Sequence, residues 1–405
     1  MTDSAAILES SAASDRGGGG DVVDRGVRSA RAPRRLAGAL EFLVVGGGTL
    51  LLLPICWLCR TLLGLDAGEL LMGALAFHAA SIINDPHFSV TYLLFYDRAQ
   101  QRALGDVYPP RQRLRYWFAG VVVPLALVGW AVVAIATHSA RSLGSMIQLM
   151  FVLVGWHYVK QGFGVLSVLS VRRGFRWSAS ARRWMLLHCL AGWAYAWASP
   201  FDPGTKSVVN GVFYVTLPHP PGLERVTQIL FFASAALAAA AVAREWRAQQ
   251  RMPPLGALAG LLISVWLWTV YTRLDPLLAF WIPALHSLQY LYFVGLSRRN
   301  AARAAAGPPT FKGNVGRTLA VLAASAVGLG WLLLRGVPAW LDAALVLPPS
   351  SDRAMAAMGP TPYLAAFTAV VNIHHYFMDS VIWRREHDEI RHLFSTDESP
   401  VEAAG

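Results

Sequence analysis

The chain has 405 residues, of which 55% are hydrophobic and only 15% charged. Soluble domains carry about 25% charged residues, so the composition excludes an ordinary soluble enzyme and points to a single multi-helix membrane domain. The net charge of +11 comes almost wholly from arginine, with lysine only at 160, 206 and 312. These arginines flank apolar runs, so the excess reads as membrane topology and excludes nucleic acid as the partner.

Residues 1–36 are rich in Ala, Ser, Gly and Arg, with four glycines in a row from Gly17 to Gly20. That composition cannot bury a core and predicts a disordered N-terminal tail. No short apolar stretch with a small-residue cleavage site opens the chain, so no cleaved signal peptide is expected. Residues 37–384 read as the transmembrane helical domain and 385–405 as a charged cytoplasmic tail. Within the domain, ten runs are long enough for a bilayer core of ~30 Å. They fall near 38–59, 69–96, 116–136, 143–171, 184–200, 226–243, 255–271, 276–297, 318–337 and 361–383. Pro86 should kink the second run, because proline removes a backbone donor and clashes with the preceding turn.

Charge alternation tests this layout. The tails and one set of loops hold 27 Lys and Arg, the opposite set holds 7, and Lys160 is left inside a run. The positive-inside rule then predicts an all-α bundle of about ten spans with both termini cytoplasmic. The segment 338–360 is too short to span and reads as an outer amphipathic piece or part of a lid. Cys56 and Cys59 have the spacing of a thiol pair, but no second pair exists, so they read as small apolar fillers.

Ionisable groups at membrane depth are costly and mark function. The last run contains Asn372-Ile373-His374-His375-Tyr376-Phe377-Met378-Asp379. Three earlier runs carry His87, His157 and His286, and all four runs head toward the cytoplasm. His87 lies ten residues before Asp97, His157 fifteen before Arg172, His286 twelve before Arg298 and His374 ten before Arg384. At ~1.5 Å per residue the four imidazoles share one layer, about 15 to 22 Å from the cytoplasmic boundary.

A shared layer of three or four imidazoles suits Fe(II), Zn, Cu or Ni and does not suit oxygen-loving Mg or Ca. The scarcity of bridging carboxylates favours one metal ion over two. His87, His157, His286 and His374 are the expected ligands. Side chains ~100° apart on a helix do not share one ion, so His375 is expected to support its neighbour. Asp85, Gln161, Gln289 and Asp379 lie within a turn of a histidine and are of the type that holds a ligand's second nitrogen. Lys160 is the one basic residue deep in a run; it is placed to snorkel, to pair with Asp85, or to act on an anionic substrate group in catalysis. Tyr290 stands four residues after His286. His78 and His188 read as structural.

Pro86-His87-Phe88, His157-Tyr158, His286-Ser287-Leu288-Gln289-Tyr290 and His374 through Asp379 to Arg384 follow one another in a recognisable order. That order resembles the Brp/Blh family, the bacterial membrane β-carotene 15,15'-dioxygenases. The resemblance covers about forty residues. It departs from the family pattern in having Tyr290 for a histidine and in lacking Gly after His87. By position it implies His87, His157, His286 and Tyr290 as an iron set, and a place in a bacterial cytoplasmic membrane.

Residues and resemblance together lead to a membrane non-haem iron oxygenase acting on a lipophilic, isoprenoid-like or lipid substrate. Two readings stay open beside it. Intramembrane His, Asp and Lys also build proton- or ion-coupled transporters, and paired histidines bind haem.

Overall fold

Long apolar runs leave backbone groups with no water to bond, and a helix satisfies them internally. The computed structural model follows this rule. It describes residues 36–198, 206–209, 212–215, 219–307, 310, 312–346, 353–384 and 387–394. The N-terminal tail and most of the C-terminal tail lie outside the described residues. The chain divides into two units, residues 1–41 and 42–405, and the architecture below concerns the second.

The long helices are α1 (Leu36–Leu63), α2 (Leu65–Ala80), α3 (Asn84–Tyr96), α4 (Pro110–Ala136), α5 (Ala140–Arg172) and α6 (Ala179–Ala198). After a two-stranded hairpin come α7 (Leu223–Gln249), α8 (Leu255–Leu274), α9 (Ile282–Ala306), α10 (Val315–Leu345), α11 (Pro362–Ile382) and the short α12 (Asp388–Leu393). Among the described residues, eight helices are long and apolar enough to cross a membrane, α2 and α3 counting together. The other two expected spans are the helices α6 and α11, which fall outside that set; α11 carries the polar run 372–379 that dilutes its apolar character.

Three features differ from the sequence expectation. The second run is two helices separated by a turn at 81–83, with Pro86 in the first turn of α3. Proline cannot donate to residue 82 and its ring excludes that carbonyl, so the chain leaves the helix before it. The segment 338–345 is the end of α10, joined through a wide turn at Leu332–Gly336, and therefore not a separate surface piece. Finally, Lys206–Val209 pairs antiparallel with Val212–Val215. Asn210-Gly211 between two β-branched runs is the sequence signal for such a hairpin.

Helices α3, α5, α9 and α11 enclose the interior: α11 packs against α3, α4 and α5, and α9 against α3. Helix α10 lies closely on α3. Ser89 Oγ donates to the Ala326 carbonyl at 2.5 Å, and a Cβ on Gly330 would sit 2.7 Å from the Asp85 backbone. Turns of π-helix interrupt α1, α4, α8 and α10. In α1 and α4 a carbonyl of such a turn meets a polar side chain near the interior: Val45 O accepts from Gln289 Nε2, and Ala119 O faces His374 Nε2.

Candidate metal centre

The four helices bring four imidazoles together at full burial. His87, His157, His286 and His375 are each 5% exposed or less. The His87 ring centroid lies 4.4 Å from that of His375, 5.1 Å from His286 and 6.5 Å from His157. His157 lies 5.0 Å from His286 and 4.9 Å from His375. One nitrogen from each of His87, His157 and His375 falls within 4.8 Å of the other two, a grouping that can hold a metal ion. The Nε2 atoms of His157 and His286 are 3.2 Å apart. That is hydrogen-bonding distance, and His286, expected as a ligand, stands beside the grouping of His87, His157 and His375 rather than within it.

Hydrogen bonding prepares the lone pairs. Ser287 Oγ donates to Asn84 Oδ1 at 2.9 Å, so toward His87 Nδ1, 3.1 Å away, it can only accept. His87 therefore carries its proton on Nδ1 and presents an unprotonated Nε2 to the cluster. That Nε2 has no hydrogen-bond partner, nor have His286 Nδ1 and both nitrogens of His375. A buried polar atom left without a partner costs about 1–3 kcal/mol. Several in one cluster leave nitrogen donors available for a ligand, and a metal ion fits that donor set.

Asp379 supplies negative charge. Its Oδ2 lies 3.3 Å from His375 Nε2 and 3.7 Å from His157 Nε2. Its Oδ1 accepts from the Tyr290 hydroxyl at 2.8 Å, and Thr91 Oγ1 lies 2.8 Å from the same hydroxyl. The Tyr290 ring stands edge-on to His87 at 4.5 Å. Tyr158 stacks on His286 at 3.7 Å and Tyr376 on His157 at 4.7 Å, fixing both imidazole planes.

His374 points elsewhere. Its Nε2 lies 3.0 Å from the Ala119 carbonyl, which can only accept. The proton is therefore on Nε2, and Nδ1 accepts from the Tyr92 hydroxyl at 3.0 Å. Both nitrogens are engaged, so His374 has no lone pair for the cluster and the structure brings its neighbour His375 there. The ~100° step between adjacent helical residues allows one of the pair inward, and the sequence expectation chose the other.

The remaining predicted site residues divide. Gln161 Nε2 donates to the His286 backbone carbonyl at 3.1 Å and to Gln289 Oε1 at 2.7 Å. Gln289 Nε2 donates to the Val45 carbonyl at 2.5 Å, in the π-turn of α1. These amides tie three helices together and bind no imidazole nitrogen. Asp85 does not orient His87: its Oδ2 accepts from Arg335 Nε at 2.7 Å. Residues two apart on a helix do not share a face, which sends the carboxylate toward α10. Lys160 is exposed, its Nζ 5.9 Å from the Trp156 ring centroid, because an ammonium leaves an apolar interior wherever its stem allows. His188 is buried against Ser234 at 3.1 Å, far in sequence from the cluster, while His78 is exposed.

Residues not anticipated are Ser287, Asn84, Thr91, Tyr158 and Tyr376. Ser287 and Tyr158 each follow a histidine directly, and Asn84 precedes His87 by three; a scan one turn either side for hydroxyls and amides would have found them. No family model, curated protein or solved structure matches the chain.

Proposed function

We propose that this protein is a multi-pass membrane oxygenase with one non-haem Fe(II) held among His87, His157, His375 and Asp379, acting on a lipophilic substrate. The observation that carries this reading is the set of buried imidazole nitrogens without partners, converging within 4.8 Å. Two imidazoles and one carboxylate are the donor set of non-haem Fe(II) oxygenases, and His157, His375 and Asp379 have that composition, with His87 as a third imidazole. When bound, Fe(II) supplies O2 activation at open coordination positions.

The chain's own residues do the rest. Ser287 keeps the His87 proton on Nδ1, and Tyr290 holds one oxygen of Asp379 so that the other faces the imidazoles. The stacked Tyr158 and Tyr376 rings hold the His286 and His157 imidazoles in plane. Other metals with imidazole affinity, Zn and Cu, would fit the same nitrogens. A proton relay is less well supported, since Lys160 is exposed and Asp85 is paired with Arg335. A haem between His157 and His286 is disfavoured: axial nitrogens sit about 4 Å apart at ~2.0 Å each, and these are 3.2 Å apart.

The test is incorporation of label from 18O2 into lipid. Fe(II)-loaded protein, incubated with a total membrane-lipid extract, should yield an 18O-bearing product that His157→Ala abolishes. Absence of any labelled product, with substrate uptake driven by a pH gradient, would replace this reading by a transporter.

A further inference from the structure

The turn at 81–83 that separates α2 from α3 falls midway along the 32-residue apolar run Leu65–Tyr96. At that depth no water satisfies the backbone groups that a break sets free, so protein must do it. The Ser81 amide turns back to the His78 carbonyl at 3.3 Å. The Phe77 carbonyl, in the last turn of α2, is taken instead by Arg335, whose Nη2 donates to it at 3.2 Å. Across the break, Nε of the same guanidinium donates to Asp85 Oδ2 at 2.7 Å, in the first turn of α3. The guanidinium also lies over the Phe77 ring, 4.7 Å from its centroid, where the ring face attracts a cation.

One side chain thus grips both halves of a broken helix. A guanidinium fork holds two acceptors in fixed directions, which the point charge of a lysine does not. Arg335 leaves α10 from the π-turn Leu332–Gly336, an irregularity frequent at functional sites. What it grips is the turn that carries His87. Asn84 and Asp85 leave that turn toward different helices: Asn84 Oδ1 accepts from Ser287 of α9, the hydroxyl that meets His87 Nδ1, and Asp85 accepts from Arg335 of α10. Pro86 has no amide to bond back to residue 82, so these two outside contacts hold what the helical ladder does not.

We propose that Arg335 is a positioning residue for the histidine site: by bridging Phe77 and Asp85 it fixes the break at 81–83, and with it the placement of His87 Nε2 among His157 and His375. The hold acts on the backbone of α3, through Asp85, and not on the imidazole itself. That His87 serves a metal ion rests on the oxygenase reading. That Arg335 holds the break does not.

Two measurements on the full-length protein in detergent test it: amide protection across 78–89 without metal, and Co(II) binding read from the Co(II) d–d spectrum and by chelator competition. The control is Arg60→Gln, which breaks the Arg60–Asp275 pair at 3.1 Å. Arg335→Gln should lower protection across 78–89 about tenfold, raise the Co(II) dissociation constant about tenfold, as loss of a ligand's outer partners does, and shift the d–d bands. Arg60→Gln should do none of these. Arg335→Lys, which keeps the charge and carries both measurements if Arg335→Gln does not fold, should behave like Arg335→Gln. Full rescue by lysine would show that charge alone suffices and overturn the two-point grip. Unchanged protection in both Arg335 variants overturns the hold, and the same losses in Arg60→Gln would reduce it to general destabilisation. Lowered protection with unchanged Co(II) affinity and spectrum overturns the service to His87. If wild-type protein binds no Co(II) while Arg335→Gln still loses protection, the hold stands and the metal reading falls.

Discussion

At the scale of single residues, the difference between His374 and His375 is a difference of lone pairs. His374 spends both nitrogens on Ala119 and Tyr92, whereas His375 spends neither. His374→Ala should therefore leave metal stoichiometry unchanged while lowering thermal stability, by about 1–3 kcal/mol for the hydrogen bonds lost. His375→Ala should cost the metal. The Ser287 hydroxyl sets the His87 tautomer, and outer partners of metal ligands are worth 10–100-fold in affinity. Ser287→Ala should raise the metal dissociation constant about tenfold, read by competition with a chelator; no change would mean that Nε2 of His87 is not a ligand. The sequence revealed that His87, His157 and His286 share a layer, since helical rise converts residue counts into depth. It could not reveal which of two adjacent imidazoles turns inward, because that depends on the rotation of α11 against its neighbours, a property of packing.

At the scale of elements, helix ends and interruptions are held by groups distant in sequence. Asp342 near the end of α10 accepts from the Tyr363 and Leu364 amides at 2.8 and 3.0 Å, capping α11 from another helix. Asp342→Ala should cost about 1 kcal/mol, in the range of lost N-caps, read as a lower midpoint in thermal unfolding. Gly46 lies where α1 loses helical geometry, and a Cβ there would fall 1.8 Å from the Ala259 carbonyl oxygen. Gly46→Ala should destabilise by about 1–3 kcal/mol through overpacking. The C-terminal segment carries His387 outside the spans, where burial and the nearby Arg102 and Arg298 guanidiniums push its pKa from 6.5 down to about 3. Between those values the unfolded segment binds a proton that the folded one refuses. Docking is thus strongest above pH 6.5 and weakens below it, by about 1.4 kcal/mol at pH 5.5. Amide protection factors across 387–394, which are corrected for the intrinsic pH dependence of exchange, should fall about tenfold between pH 7.5 and 5.5, and His387→Gln should flatten that dependence. Helix positions were legible in the sequence because each apolar run must be a helix. The π-turns and the break at 81–83 were not, apart from the hint of Pro86, since they follow from contacts between helices.

At the scale of the whole molecule, the described residues form a helical bundle with eight apolar helices of membrane length and a buried tri-histidine group. The arginine asymmetry adds the orientation we expect, with both termini cytoplasmic; reporter fusions at residues 1 and 405 should both report the cytoplasm. Asp85 and Lys160 show how sequence neighbours mislead at this scale: each lies within three residues of a ligand candidate, yet one pairs with Arg335 and the other reaches the bundle surface. Depth was readable, and the direction of each side chain was decided by the assembled bundle. The central claim is that the convergent imidazoles hold one metal ion, and elemental analysis of purified, detergent-extracted protein tests it most directly. The account predicts about one iron per chain in the wild type and less than a tenth of that in the His157→Ala/His375→Ala protein. Equal metal content in the two, or none in either after growth with iron, would contradict it.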